Sequence, residues 1–307
     1  MSDTEGPAGL FEKNCLILKT EFSAFADDGS FRLCAAVFTS FGAEIDPNAL
    51  SAMCLSIKER LSAYPGFMGK RLLLCASALV SDIFWTQRLE NISDVCLCLR
   101  KELRTPDFPP FTALLLDRYG DSIETESLCR KTAEIFSTAR TYHPLLQGKL
   151  SIDFCAALAL SGRPVKEVLT DTENCLSALE AGFGSDSGIF HAAVILSLDR
   201  RDALSKCDAL LRLKSCLEGL GTGRIGKYCL APLACTVLKN PDAGYFAEDL
   251  SFFASAMRKK KGFGTLSLGR KKRLALCSWI LNSPLSDDSP AFGAARWLSA
   301  EIIADSL

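Results

Sequence analysis

The chain has 307 residues, of which 48% are hydrophobic and 23% charged, and its formal net charge is −1. This length and apolar content suffice for a sizeable buried core, and the balanced charge excludes polyanion binding over the whole surface. No apolar run reaches the roughly 20 residues that span a bilayer, so no membrane association is expected. The first ten residues, MSDTEGPAGL, lack the basic and apolar regions of a secretory signal, so the sequence predicts a cytoplasmic protein.

Apolar residues with helical spacing recur along the whole chain, and no stretch shows the alternation typical of a strand. In the first half, the predicted helices cover 10–26, 31–41, 47–61, 72–80, 83–103, 111–116 and 123–139. In the second half, they cover 152–160, 165–179, the stretch after a turn at 182–188, 201–220, 225–238, 246–257, 274–281 and 290–303. The helix at 47–61 has a well-defined start, because Asp46 can cap it and Pro47 suits its first position.

Two types of predicted helix alternate, one apolar on a single face and the other apolar nearly all round. The leucines that precede the turns are 42, 76 and 41 residues apart at Leu61, Leu103, Leu179 and Leu220. A period near 40 residues is typical of stacked antiparallel helix pairs, although an irregular bundle would share the composition. We therefore predict an all-α fold whose helix pairs stack as an irregular α-solenoid-like repeat array. The array forms one domain over 1–307, and a division into two lobes would fall near 141–150.

The fourteen cysteines suggest a disulfide framework or a metal site at first sight, but their spacing favours neither. No CxxC motif occurs, and most cysteines stand singly in apolar helical stretches, where a thiol acts as a small hydrophobic side chain. Only two histidines are present, so a mixed zinc site is not expected either. The sequence predicts free, mostly buried thiols, no bound metal and no cofactor.

One stretch carries a family resemblance. The segment YHPLLQGKLSIDFCAALALSG at 142–162 is followed by an amphipathic helix, by Gly182-Phe183 and by an apolar helix. This arrangement resembles an uncharacterised bacterial family, domain of unknown function four-thousand-three, over most of the chain. The resemblance implies an all-helical fold and implies no activity.

The strongest charge feature is the segment 258–273, RKKKGFGTLSLGRKKR, which we call the basic segment. It contains eight of the 35 basic residues of the chain and none of its 36 acidic ones. The eight candidate anion-binding residues are Arg258, Lys259, Lys260, Lys261, Arg270, Lys271, Lys272 and Arg273. The segment could bind phosphate, nucleic acid or an acidic partner, or it could be a solvated loop whose cations complement a helix C-terminus.

Two further sequence features are weaker candidates for a functional site. His143, in a loop before Pro144, and His191, at the start of an apolar helix, could form a polar site, although neither has a carboxylate or a cysteine at ligand spacing. The run GLGTGRIG at 219–226 superficially resembles a dinucleotide fingerprint. It lies between predicted helices and does not follow a strand, so we interpret it as a helix stop and a turn.

These observations favour a non-enzymatic helical scaffold that binds a protein or peptide partner in the groove of its helix stack. One alternative is an enzyme with a helical core that uses the His143 loop. A second alternative is anion or nucleic-acid binding through the basic segment.

Overall fold

The fold is entirely α-helical over the residues that a computed structural model describes, which are 6–23, 28–64, 67, 70–80, 82, 84–104, 110–120, 124–183, 187–239, 242–260, 263–264, 268–282 and 289–304. The chain divides into two compact units, one made of 1–138 and 150–162 and the other of 139–149 and 163–307. The all-α prediction is confirmed. Within the described residues, no helix combines the length and apolarity needed to cross a membrane.

Among the described residues, the first unit contains seven complete helices and most of an eighth. Its helices are α1 (Pro7–Glu21), α2 (Asp28–Ser40), α3 (Pro47–Leu61), α4 (Lys70–Leu79), α5 (Trp85–Leu103), α6 (Pro110–Tyr119), most of α7 (Thr125–Tyr142) and α8 (Ile152–Leu160). Helices α2, α4, α6 and α8 contact one another in sequence, and α1, α3 and α5 form a second row against them. The predicted cap of α3 is confirmed, since the Asp46 carboxylate accepts hydrogen bonds from the Asn48 and Ala49 N–H groups at 2.9 and 3.2 Å.

The second unit continues with a similar order of contacts. Its helices are α9 (Val165–Phe183), α10 (Ser187–Leu196), α11 (Ala203–Leu217), α12 (Lys227–Leu238), α13 (Ala243–Arg258), α14 (Arg270–Leu281) and α15 (Pro290–Ala304). Helices α10, α12 and α14 contact one another in sequence, as do α9, α11 and α13 in the neighbouring row. Stacked helix pairs would give this order, and a solenoid-like repeat array stays a prediction.

Burial follows the two predicted helix types. In α12 every residue from Cys229 to Val237 is buried, whereas α11 buries a single stripe that includes Leu210, Leu213 and Leu217. Helices such as α12, which we call inner helices, are therefore shielded from water on all sides. Burial of each large aliphatic side chain in them stabilises the fold by roughly 1.5–3 kcal/mol.

In the described part of the second unit, three cations bind carbonyl groups at the end of a buried helix. The three pairs in the second unit are Arg163 with the Ser197 carbonyl at 2.7 Å, Arg201 with the Val237 carbonyl at 2.7 Å, and Lys239 with the Asn282 carbonyl at 3.2 Å. The last carbonyls of a helix have no intrahelical partner and carry partial negative charge, so a cation stabilises them. Each bond therefore satisfies a carbonyl group at the end of α10, α12 or α14.

All fourteen cysteines are free thiols, and only Cys98 and Cys216 are even partly exposed. Burial raises the pKa of Cys34 and of Cys235 to about 12 in each case. Because the thiolate is the reactive form, we expect a thiol reagent at pH 8 to modify only Cys98 and Cys216 rapidly in the native protein, and all fourteen after unfolding. Rapid modification of many more thiols in the native protein would contradict this assignment of the core.

Candidate functional site: a cavity lined by three arginines

The second half of the basic segment is the first turn of α14. The sequence predicts a helix start at Leu274, whereas α14 begins at Arg270, after Gly269, which has φ 73° and offers no side-chain cap. The predicted boundary is wrong because it counted apolar residues only, and arginine and lysine are good helix formers. Four cations thus occupy the first turn, which contains no acidic residue, beside the positive end of the helix dipole. This placement is electrostatically unfavourable unless an anion is nearby.

A cavity of about 200 Å³ lies beside this turn. We call it the three-arginine cavity, because Arg258 from the end of α13 and Arg270 and Arg273 from α14 all line it. The other lining residues are Leu220, Gly221, Thr222, Ser251, Ala254, Ser255 and Leu274. None of these described lining residues is acidic, so the cavity has a strongly positive potential.

Arg273 is the buried member of the three, with 5% of its surface exposed. Its Nη1 donates a hydrogen bond to the Phe263 carbonyl at 2.7 Å, but its buried Nε has no partner among the described residues. Burial lowers the pKa of Arg273, and the neighbouring charges of Arg258 and Arg270 lower it further. The guanidinium remains charged at neutral pH, so the site contains a buried donor without an acceptor.

Among the described residues, the other two arginines also have no counter-ion. Arg258 and Arg270 are exposed, and neither forms an ion pair with a carboxylate in the described part of the chain. Helix α13 adds two hydroxyl groups, those of Ser251 and Ser255, which bond no other described residue. Three cations and two hydroxyls are therefore available to an anion that enters the cavity.

Three residues of the glycine-rich run 219–226 line the cavity, namely Leu220, Gly221 and Thr222. A π-helical turn (Glu218–Thr222) extends α11, and the chain then passes through Gly223 at φ 69° and ψ −177° before α12 begins. The interpretation as a helix stop and a turn is confirmed. A Cβ atom on Gly223 would overlap Nη2 of Arg270, so the guanidinium can occupy this position only because residue 223 has no side chain.

Replacing Gly223 with alanine is expected to displace the Arg270 guanidinium from the cavity wall and to cost about 1–3 kcal/mol of stability through backbone strain. Gly219→Ala is the matched control, because Gly219 has ordinary backbone angles and a Cβ atom at that position would have no neighbour within 4 Å. Chemical denaturation of both variants measures the difference. Equal stability of the two would show that the Gly223 conformation carries no constraint.

The other described cations of the basic segment are not among the residues that line the cavity. Lys259 and Lys271 are exposed, Lys260 and Lys272 are half-buried, and Lys261 lies outside the described residues. The stem of Lys271 packs against Gly226, where a Cβ would lie 2.7 Å from its Cδ. Of the seven predicted anion-binding residues that the structure describes, three line one cavity.

The two histidines occupy different environments in the second unit. Nδ1 of His143 lies 2.9 Å from Oε2 of Glu173, and the other carboxylate oxygen of Glu173 is buried without a partner among the described residues. His191 lies on α10, with its ring edge-on to Phe190 at 6.0 Å between centroids. Sequence spacing missed Glu173, since it is 30 residues from His143 and is brought close only by the docking of α9.

A second polar cluster links α9 and α11. The Asp171 carboxylate accepts hydrogen bonds from Lys206 at 2.8 Å and from Arg163 at 2.6 Å, and Lys206 also donates to the Asp199 carbonyl at 2.9 Å. Lys206 is fully buried. A wider hollow of about 410 Å³ beside this cluster is lined by both acidic and basic residues. Because Asp171 already binds two cations, we assign the cluster a structural role.

Comparisons with known proteins identify the family of this chain but associate no activity with it. A search of curated proteins and a search of solved structures each find no match to this chain. A family model described as "Protein of unknown function (DUF4003)" matches residues 17–297, which is most of the chain. The all-helical chain with the three-arginine cavity therefore belongs to the DUF4003 family.

Proposed function

We propose that this protein binds a phosphate-type anion in the three-arginine cavity and acts as a binding protein rather than as an enzyme. One observation carries the proposal, namely that three arginines without carboxylate partners among the described residues line one cavity. One of them, Arg273, also has a buried Nε without an acceptor in that part of the chain. Guanidinium groups bind phosphate oxygens in a bidentate geometry, and the first turn of a helix favours an anion. An anion would also offset the mutual repulsion of the cations.

Calorimetric titration with inorganic phosphate at low ionic strength tests the proposal. Arg270 and Lys271 offer a matched pair, since both are exposed neighbours in α14 and only Arg270 lines the cavity. We expect Arg270→Met to weaken phosphate binding about tenfold or more, as loss of a charge-assisted hydrogen bond would, and Lys271→Met to have a much smaller effect. Absence of phosphate binding to the wild type, or equal losses in both variants, would contradict the proposal.

The other expectations from the sequence stay predictions. A protein or peptide partner would use the groove of the helix stack, and an enzymatic role would use the His143 loop, where His143 meets Glu173. No described feature favours either of these over the anion site. We also propose a reducing compartment such as the cytoplasm, because fourteen free thiols persist best there.

A further inference from the structure

We propose that the anion is the terminal phosphate of a small phosphomonoester, and that the backbone of a nucleic acid is not the ligand. This assignment rests on the proposed function and specifies its ligand. It follows from the size of the three-arginine cavity, from the position of Arg273 and from the apolar residues beside the cations.

The size of the cavity limits what can enter. Its volume of about 200 Å³ is below the roughly 300–1,000 Å³ of pockets that enclose drug-sized ligands. It can therefore take one anionic group and a few further atoms. The remainder of a ligand would extend beyond the mouth, where Arg258 and Arg270 are exposed.

The burial of Arg273 favours a terminal phosphate. Because only 5% of the surface of Arg273 is exposed, a ligand can reach this residue only with a group that projects into the cavity. A phosphomonoester has three free oxygens and a charge near −2 at neutral pH, and it can project in this way. An internal phosphodiester carries one charge and is flanked by a sugar on each side, which prevents its entry.

The charge and donor groups match such a dianion. Three guanidinium groups exceed its charge by one, so the bound complex retains no uncompensated negative charge. The hydroxyls of Ser251 and Ser255, which bond no other described residue, can donate to phosphate oxygens that the arginines leave open.

The apolar residues indicate an organic substituent. Leu220 lines the cavity and is 46% exposed, while Leu274 and Ala254 line it nearby. Inorganic phosphate would leave the Leu220 side chain in water. An uncharged group attached to the phosphate could cover it and gain affinity through burial of apolar surface.

The experiment compares inorganic phosphate, phenyl phosphate, diphenyl phosphate and a short oligodeoxynucleotide without terminal phosphates, each titrated by calorimetry. We expect phenyl phosphate to bind about fivefold more tightly than inorganic phosphate, as burial of part of a ring would give. Diphenyl phosphate is expected to bind at least about tenfold more weakly than phenyl phosphate, because it carries one fewer negative charge and one fewer unesterified oxygen. Leu220 is exposed, so Leu220→Ser should fold normally and should lower the affinity for phenyl phosphate more than the affinity for inorganic phosphate.

The outcomes separate the two proposals. If inorganic phosphate binds, but diphenyl phosphate or the oligonucleotide binds as tightly as phenyl phosphate, the phosphomonoester assignment is wrong and the anion site stands. If neither inorganic phosphate nor phenyl phosphate binds, the proposed function is wrong and the assignment falls with it.

Discussion

Replacing Asp171 with alanine is expected to lower the free energy of unfolding by about 3–5 kcal/mol, the usual cost of removing one partner of a buried ion pair. Lys206 has no exposed surface, and of its partners among the described residues its ammonium group would retain only the Asp199 carbonyl. Arg163 would lose its carboxylate as well. The desolvated charge of Lys206, rather than the lost contact itself, is the main cause of the expected loss.

Denaturant unfolding of two variants distinguishes this cause from a simple cavity effect. Asp171→Ala should be strongly destabilised, whereas the double variant Asp171→Leu with Lys206→Met should recover most of the stability, because both buried charges are then absent. A loss below about 1 kcal/mol in Asp171→Ala would mean that water reaches Lys206 and that the cluster is not desolvated.

Replacing Leu179 or Leu196 with alanine is expected to cost about 2–5 kcal/mol at each position. Both side chains are fully buried, as their positions on the two helices of one pair predict, with Leu179 on α9 and Leu196 on α10. Each truncation removes apolar contacts and leaves a cavity that the packed neighbours can fill only partly.

Leu204→Ala is the control for these core variants, because Leu204 lies on α11 with 65% of its surface exposed. It should change the free energy of unfolding by no more than about 0.5 kcal/mol. Thermal or denaturant unfolding measures all three variants. A similar loss in the control and in the core variants would show that the assignment of the helix faces is wrong.

Hydrophobic spacing predicts the fold of this chain well, because each helix must bury an apolar face and the period of that face is local information. Helix α3 shows this, since the stripe from Leu50 to Leu61 and the Asp46 cap set both of its ends as predicted. Helix α14 shows the limit. Its first turn contains only cations, so the apolar pattern starts four residues late, and only the conformation of Gly269 marks the true start.

The candidate site could be predicted only in parts. The basic segment and the glycine-rich run 219–226 are each visible in the sequence, but they are far apart along the chain. They meet because α13 packs against α11 and α14, and because α12 also packs against α14. No local pattern distinguishes Arg273, which is buried, from Lys272, which is half-buried, or assigns Ser251 and Ser255 to the same cavity. Tertiary packing determines these roles, and a single sequence does not record it.

The most direct test of the anion site is the position of a heavy phosphate analogue in crystals of the protein. Tungstate has the tetrahedral shape of phosphate, and its anomalous scattering locates it without ambiguity. We predict one strong anomalous peak within hydrogen-bonding distance of the guanidinium groups of Arg258, Arg270 and Arg273, and its loss in crystals of Arg270→Met. Tungstate bound only elsewhere on the protein, with the three-arginine cavity empty, would contradict the proposed function.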